Sequence, residues 1–458
     1  MGPKISKDSQ VADQESFEII DPTALKSAKG KLPKFMDVLA INPKNQDRQD
    51  LDYLDPSCED IIKDCEIQFL EEYMNKKKLT LVNGDNTPEI IQAKASLKLF
   101  LQALTRIIKE QYGNLELLEY FKSSVKDKPE RQKYFEEKGL SSDEAFACAL
   151  ALSFYTGYNG GGNFTSDKVN RGASKCVRTQ NEAVDETNIM KYYVIMHYMI
   201  KALAYIPYHW GPCIRFVSMG KEEQDRYEVG SIISWLQFSS STCFEEGAKE
   251  FSWQNTVFHI YSLSGRSIEM FSNFPNEKEV LFVPWSTFLV TKKVETGHVT
   301  HIYLRQAELG TTMNTILWVD DKILDENWEN KRLMEFLTSQ GLSKALRIIP
   351  KSSTKAALAF MDSDFGKYVK LGGPKRTFQI ISDMGRPEEE NGSEAGAILL
   401  KELRERGFLN KFSIYTMSEE WAQKILDKYV EKSVEKSPEY FVTASYKKLV
   451  AYVSPPSS

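Results

Sequence analysis

The chain has 458 residues, which is long enough for two to four domains with substantial cores. Its hydrophobic fraction of 41% and charged fraction of 27% are ordinary for a globular protein, and a net charge of −5 argues against a general nucleic-acid-binding face. No apolar run approaches the length of about eighteen residues that a membrane span needs, and six dispersed cysteines indicate reduced thiols in a cytoplasmic protein.

The first part of the chain changes from a polar leader to helices. Residues 1–57 are polar with scattered proline and lysine, so we expect a disordered leader there. Apolar residues then recur at helical spacing, and we interpret 58–140 as a helical region that packs on the following domain. The predicted helix 143–154 follows the capping signal Ser141-Ser142-Asp143-Glu144. The predicted helices are 61–73, 97–108, 114–121, 143–154 and 190–204.

Two features of this part give little functional signal. The glycine-rich loop 155–163 lacks the lysine and helix start of a P-loop, so a flexible turn is favoured over a phosphate cradle. His197 has no second ligand at metal spacing, so we interpret it as packed among helices.

From Gly211 the pattern changes to short runs of β-branched and aromatic residues separated by turn residues. Helices followed by a series of strands predict an α+β domain with a mainly antiparallel β core. The predicted strands are 213–217, 232–238, 256–262, 267–270, 280–284 and 301–306.

Two glutamates in this β region are candidates for catalysis. Glu277 and Glu279 are two residues apart at the start of a predicted strand, so we expect their side chains on one face. Adjacent carboxylates beside Phe271 and Phe274 suit a site that stabilises a cationic transition state and activates a nucleophile. The same spacing also fits two surface acids at a solvated strand edge.

Further motifs precede this pair in a distinctive order. Arg215 lies within an apolar strand, and the run 238–242 reads Phe-Ser-Ser-Ser-Thr. This order of motifs resembles the R-S-E class of ADP-ribosyltransferases: an arginine, then an aromatic residue with a serine/threonine run, then Glu-x-Glu. Within that class it is similar to the arginine-directed mono-ADP-ribosyltransferases, and the Ser-Gly-Arg-Ser-Ile segment 264–268 is part of the match. The resemblance covers roughly 140–310.

This resemblance implies a fold and a reaction. The domain 141–310 would be a small two-sheet β-sandwich that transfers ADP-ribose from NAD to arginine side chains of proteins and releases nicotinamide. Glu279 would stabilise the oxocarbenium ion and bind the ribose 2′-hydroxyl. Glu277 would orient and deprotonate the acceptor. An NAD glycohydrolase with the same site, or a non-catalytic signalling scaffold, are the alternatives.

The same resemblance assigns NAD-binding roles to four further residues. Arg215 would bind the NAD phosphates, although an arginine in an ordinary salt bridge is the alternative. Ser240 would hold the ribose and the catalytic glutamate, with Thr242 in support. Phe274 is favoured over Phe271 to stack on nicotinamide, and either ring would equally fill a core. This chemistry needs no metal ion.

The chain changes character again after Gly310. Five buried-looking runs alternate with helical patterns, which predicts an α/β doubly wound, five-stranded parallel sheet over 314–455. Ligands of such sheets lie at the carboxyl ends of the strands, where Asp320, Asp321 and Asp383 fall. The predicted strands are 316–319, 346–349, 378–381, 412–415 and 440–443, and the predicted helices are 327–339, 353–361, 393–406 and 419–435.

These acids resemble those of a response-regulator receiver domain. The resemblance implies Mg²⁺ held by Asp320, Asp321 and Asp383, with phosphorylation of Asp383 and Thr416 as the switch hydroxyl. The receiver lysine is missing, because the end of the fifth predicted strand reads Val-Thr-Ala-Ser over 442–445. A phosphorylation switch and a receiver-like scaffold for homodimerisation or docking therefore both remain open, and we expect this domain to regulate the transferase.

Overall fold

The described residues of the computed structural model fall into two compact units, the first ending by residue 307 and the second covering the described residues from 314 onward. Most of the leader, the predicted helix 61–73 and residues 158–163 of the glycine-rich loop lie outside the described ranges. None of the helices within those ranges is long and apolar enough to cross a membrane. The described residues are 17–19, 97–113, 115–157, 165–166, 169, 195, 197–229, 232–235, 237–243, 253–283, 286–306, 314–325, 327–341, 346–362, 377–430 and 440–454.

Four helices of the first unit lie between residues 97 and 155, and three of them fall where the sequence predicts helix. The capping box expected at Ser141 forms, because its side chain accepts from the Glu144 backbone while the Glu144 side chain reaches back. The third helix is missed by the sequence prediction, because its buried positions include Arg131 as well as Phe135. The helices are α1 (Leu97–Tyr112), α2 (Glu116–Lys126), α3 (Pro129–Glu137) and α4 (Ser142–Tyr155).

Eight strands form the β part of the first unit, in the order β1-β3-β7-β8-β5-β2-β4-β6, with β6 also pairing with β5. All pairs are antiparallel except β5 with β8. The predicted strand 256–262 continues to Ser267, whereas the predicted strand 267–270 is wrong, because residues 268–270 form a turn after β5. Strands β1, β4 and β7 are not among the predicted strands. The elements are β1 (Phe17–Ile19), β2 (Tyr208–Val217), α5 (Lys221–Asp225), β3 (Ile232–Trp235), β4 (Ser239–Thr242), β5 (Thr256–Ser267), β6 (Glu279–Phe282), β7 (Ser286–Thr296) and β8 (Val299–Gln306).

This sheet curls around a single apolar core. Phe282 of β6 stands 6.1 Å from Trp235 of β3 and 5.3 Å from Phe288 of β7, measured between ring centroids, although several strands separate them in the hydrogen-bonding order. Gly265 allows β6 to approach β5, because a Cβ there would stand 2.7 Å from Val280 Cγ1. The described strands of this unit therefore form one continuous eight-stranded sheet, where two separate sheets were expected.

The second unit is a five-stranded parallel sheet in the order β10-β9-β11-β12-β13, which confirms all five predicted strands. In the first strand of this sheet, Leu317 and Val319 belong to the apolar core on one face. Ile316 and Trp318 alternate with them along the strand, are also buried and point to the opposite face. The elements are β9 (Asn314–Val319), α6 (Lys331–Thr338), β10 (Leu346–Lys351), α7 (Thr354–Asp362), β11 (Thr377–Asp383), α8 (Ala395–Glu405), β12 (Lys411–Tyr415), α9 (Glu419–Val430), β13 (Tyr440–Thr443) and α10 (Tyr446–Val453).

Candidate active site

The three sequence motifs of the first unit meet on three neighbouring strands. Arg215 lies on β2, Ser240 on β4 and Glu279 at the start of β6, and β4 pairs with both β2 and β6. Arg215 Nη1 donates to the Ser240 carbonyl oxygen at 2.7 Å. Antiparallel register places Thr242 directly opposite Glu279. The structure therefore brings together residues that the sequence separates widely.

Glu279 has the environment of a reactive carboxyl group. Its side chain is 5% exposed, and burial raises its pKa to about 7. The charge of Glu277 raises the pKa further, while a hydrogen bond from Ser240 and the charge of Arg215 act in the opposite direction. A carboxylate with so little water around it interacts strongly with any positive charge that develops beside it.

The turn between the two glutamates differs from the expected strand. Pro275–Glu277 is a single turn of 3₁₀ helix, and Lys278 adopts the left-handed conformation with φ of 44° before β6 begins. The premise that an extended strand places Glu277 and Glu279 on one face is therefore wrong. The turn still brings the Glu277 charge close enough to raise the pKa of Glu279. Thr242 Oγ1 holds this turn by donating to the Glu277 carbonyl oxygen at 2.7 Å.

The two candidate aromatic residues have different environments. Phe271 is 2% exposed and stacks on Phe135 of α3, with ring centroids 5.0 Å apart. Its ring therefore belongs to the core between α3 and the sheet. Phe274 is 38% exposed and immediately precedes the 3₁₀ turn. Of the two rings, only Phe274 presents surface to a ligand.

Arg215 is placed to receive an anion. Its Nε atom is buried and has no hydrogen-bond partner, and its guanidinium carbon lies 5.7 Å from the Trp235 ring centroid. Within the described part of the chain, no carboxylate forms a salt bridge with Arg215, so the salt-bridge alternative finds no support. A buried donor without an acceptor is costly unless a ligand supplies one. Phosphate oxygens fit this requirement.

The acids of the second unit lie where the sequence predicts, at the carboxyl ends of β9 and β11. Burial raises the pKa of Asp383 to about 6, and the charges of Asp320 and Asp321 raise it too. However, Asp320 accepts from the Lys322 backbone at 2.9 Å and from Trp328 Nε1 at 2.8 Å. Among the residues that the structure describes, no three acids, histidines or cysteines converge as metal ligands. The arrangement therefore does not fit the Mg²⁺ site that the receiver resemblance implies.

Two buried basic residues lie on segments that contact these acids, and the sequence analysis missed both. Lys351 ends β10, and its carbonyl oxygen accepts from the Asp320 backbone at 3.0 Å. Arg386 is fully buried, pairs with Glu389 and donates to the Asp383 carbonyl oxygen at 2.9 Å. A basic residue directly after an apolar run is the signal that could have pointed to Lys351. The end of β13 carries no lysine, as the sequence indicates.

Comparison with known proteins shows what the first unit is similar to. Residues 116–311 match the model of the ART family, described as NAD:arginine ADP-ribosyltransferase. The chain is 32% identical to Mav of Mycobacterium avium (strain 104), which is named for NAD(+)–arginine ADP-ribosyltransferase activity. This match extends over 94 residues, which make up 20% of this chain and 11% of the relative. The chain is also 33% identical to the erythroblast NAD(P)(+)–arginine ADP-ribosyltransferase of Gallus gallus. This match extends over 87 residues, which make up 19% of this chain and 29% of the relative.

The chain thus spans less than a third of the length of each of these relatives. A solved structure of the type III effector XopAI from Xanthomonas axonopodis pv. citri overlaps 53% of this chain and 97% of its own, with 22% identity and a TM-score of 0.36. The family match begins at α2, so it includes helices that the sequence analysis set apart from the domain 141–310. Residues 116–311 are thus the part of the chain that matches the ART family model.

Proposed function

We propose that the ART family domain transfers ADP-ribose from NAD to arginine side chains of proteins and releases nicotinamide. The observation that carries this proposal is the buried Glu279 carboxyl, whose pKa lies near 7, hydrogen-bonded to Ser240 and within the field of Arg215. The family match and the names of the two relatives support the same activity.

Glu279 would act on the bond between nicotinamide and ribose. When that bond breaks, its electron pair leaves with the nicotinamide nitrogen and the ribose develops oxocarbenium character. The Glu279 carboxylate would stabilise this positive charge, and its low exposure strengthens the interaction because little water competes. The Ser240 hydroxyl would keep the carboxylate correctly oriented through the hydrogen bond that it makes.

Arg215 would bind the negatively charged part of NAD. Its fork of N–H donors matches phosphate oxygens, and the buried Nε atom would gain an acceptor when the diphosphate binds. Phe274, which is exposed beside the turn, would provide an apolar surface for nicotinamide.

Glu277 would select and activate the acceptor. A carboxylate is a natural partner for a guanidinium group, and it would accept a proton as an arginine nitrogen forms the new bond to the ribose carbon. Thr242 supports this role, because it fixes the Glu277 backbone from the neighbouring strand. Two carboxylates would therefore divide the work, with Glu279 at bond cleavage and Glu277 at transfer.

Replacement of Glu277 tests this division. We expect Glu277→Gln to abolish transfer to agmatine, a small guanidinium compound, while hydrolysis of NAD continues. The measurement separates ADP-ribosyl-agmatine from free ADP-ribose by chromatography. Equal loss of both products would assign Glu277 to bond cleavage, and free ADP-ribose as the wild type's only product would favour the glycohydrolase alternative.

For the second unit, we propose a receiver-like domain over 314–455 that regulates the transferase and mediates homodimerisation. The strand order and the acids at the carboxyl edge support this proposal, whereas the missing lysine counts against phosphorylation of Asp383 as the signal. A protein truncated at residue 312 should differ from the full chain in NAD turnover and in oligomeric state. The regulatory role would be refuted if the truncated protein and the full chain turned over NAD at the same rate, both with and without a phosphodonor.

A further inference from the structure

Arg131 on α3 is fully buried and makes an unusual set of hydrogen bonds. Its Nε atom donates to the Met270 carbonyl oxygen at 3.0 Å, and Nη2 donates to the Ser272 carbonyl oxygen at 2.6 Å. Nη1 donates to the Ser124 carbonyl oxygen at 3.3 Å and to Ser153 Oγ at 3.5 Å. All four acceptors are neutral oxygens. A buried guanidinium among neutral acceptors is favourable only when its donors are well matched, so this position requires the arginine fork.

The bonds of Arg131 tie the loop after β5 to the helices. Residues 270 and 272 belong to that loop, and the next residue, Asn273, is held as well. Its Nδ2 atom donates to the Ser153 carbonyl oxygen at 2.6 Å, and its backbone N–H donates to Thr156 Oγ1 at 3.0 Å. We call Arg131, Ser153, Thr156 and Asn273 the loop anchor. It attaches three of four successive loop residues to α2, α3 and α4.

Only a short arc of chain lies between the loop anchor and β6. This arc, 274–278, contains the exposed Phe274 and the acceptor-side carboxylate Glu277. Besides the anchor, a hydrogen bond from Thr242 and one from the Phe274 backbone to Ser272 Oγ restrain it. At its far end, the Cys243 backbone donates to the Lys278 carbonyl oxygen at 3.4 Å. Glu279, by contrast, is fixed within the sheet, as are Arg215 and Ser240. A loosened anchor would therefore move Glu277 before it disturbs the groups that break the glycosidic bond.

We propose that Arg131 is a positioning residue that, through the loop anchor, places Glu277 for transfer to arginine in preference to water. This inference rests on the proposed function. Arg131 is fully buried, and its four hydrogen bonds go to three backbone carbonyl oxygens and a serine hydroxyl, so it acts on the reaction through the loop and not by contact with the reacting atoms. Its effect would appear in the choice of acceptor, with the binding of NAD unchanged.

The test uses Arg131→Lys and Asn273→Ala in the full chain. Lysine keeps the charge but cannot bridge the Met270 and Ser272 carbonyl oxygens as a fork does. We expect the ratio of ADP-ribosyl-agmatine to free ADP-ribose to fall by up to about 100-fold, the loss typical of a displacement of about 1 Å. The KM for NAD should stay within about twofold, because uniform substrate binding is not affected.

Tyr134→Phe is the matched control, because it removes a hydrogen bond from the same helix to a different segment, the Tyr205 carbonyl oxygen at 2.8 Å. It should leave the product ratio unchanged. Hydrogen exchange of peptides covering 270–278 should be faster in Arg131→Lys than in the wild type and in Tyr134→Phe. This second readout does not depend on activity.

The outcomes separate the two claims. A wild type that releases no nicotinamide overturns the proposed function, while hydrogen exchange still tests the anchor. A folded Arg131→Lys variant with the wild-type product ratio overturns the positioning role. A rise in KM for NAD with an unchanged ratio overturns it too, because the loop would then serve substrate binding. Unchanged exchange over 270–278 would show that Arg131 does not restrain the loop.

Discussion

Glu279→Gln should make the protein more stable at alkaline pH, even though it removes the carboxyl group that we propose for catalysis. Burial raises the pKa of Glu279 from 4.5 to about 7, so the folded state binds this proton more tightly than the unfolded state does. Stability from this group is therefore fully present below the unfolded value and is lost as the pH rises from about 4.5 to 7. A glutamine side chain does not ionise, so the variant avoids the free-energy cost of burying a charged carboxylate at high pH.

The size of the effect follows from the two pKa values. A difference between 4.5 and about 7 corresponds to a total of about 3 kcal/mol, of which about 2.5 kcal/mol should develop between about pH 5 and pH 8. The quantity to compare is the free energy of unfolding of the variant minus that of the wild type, at each pH. Titrations elsewhere in the chain contribute equally to both proteins and cancel.

This difference is measured by urea denaturation at about pH 5 and about pH 8. Hydrogen exchange of peptides from β5 and β6 is the readout, so that unfolding of the first unit is observed by itself. We expect the glutamine variant to gain relative to the wild type as the pH rises. A difference that stays constant between the two pH values would mean that Glu279 has an ordinary pKa. It would then refute the inference that burial prepares this carboxyl group for catalysis.

Three further changes test neighbouring parts of the account. Thr242→Val removes the hydrogen bond to the Glu277 carbonyl oxygen, and it should lower agmatine transfer about tenfold relative to NAD hydrolysis; an unchanged product ratio would contradict this role. Lys278→Gly should raise the free energy of unfolding by about 1 kcal/mol, because glycine adopts the left-handed conformation without strain, and a loss of stability in urea denaturation would contradict it. Ser141→Ala should cost about 1 kcal/mol in the same assay, since it breaks the capping box with Glu144, whereas no change would mean that the cap is not needed.

The sequence predicts the second unit well because each of its strands contains a short run of mostly apolar residues. Ile316 to Val319 are buried on both faces of a parallel sheet, so a continuous apolar run stands out from the helices on either side. In β7 the pattern is obscured, because the strand begins with Ser286 and carries Lys292 and Lys293. The strand is recognisable from its pairing with β3 and β8.

The candidate site shows where local reasoning reaches its limit. The order of Arg215, Ser240 and Glu279 in the chain allowed the resemblance to be stated, but their contact depends on the long-range pairing of β2, β4 and β6. The left-handed Lys278 is a non-glycine residue in a conformation that propensity disfavours, so the turn at Glu277 was not predicted. Tertiary hydrogen bonds hold that turn in place.

Arg131 was missed for a related reason. It occupies a buried helical position four residues before Phe135, where the periodicity of a core-facing helix calls for an apolar residue. An arginine there lowers the amphipathic signal and hides the helix. Its partners are backbone carbonyl oxygens of residues 270 and 272, which no sequence pattern identifies.

The most direct test of the central claim is nicotinamide release from NAD by the purified full chain, with and without agmatine, beside the Glu279→Gln variant. The account predicts release by the wild type, formation of ADP-ribosyl-agmatine when agmatine is present, and loss of both in the variant. The rate should rise with pH through about 7, because the carboxylate form is the active one. Release that persists in Glu279→Gln would contradict the assignment of Glu279 as the group that stabilises bond cleavage.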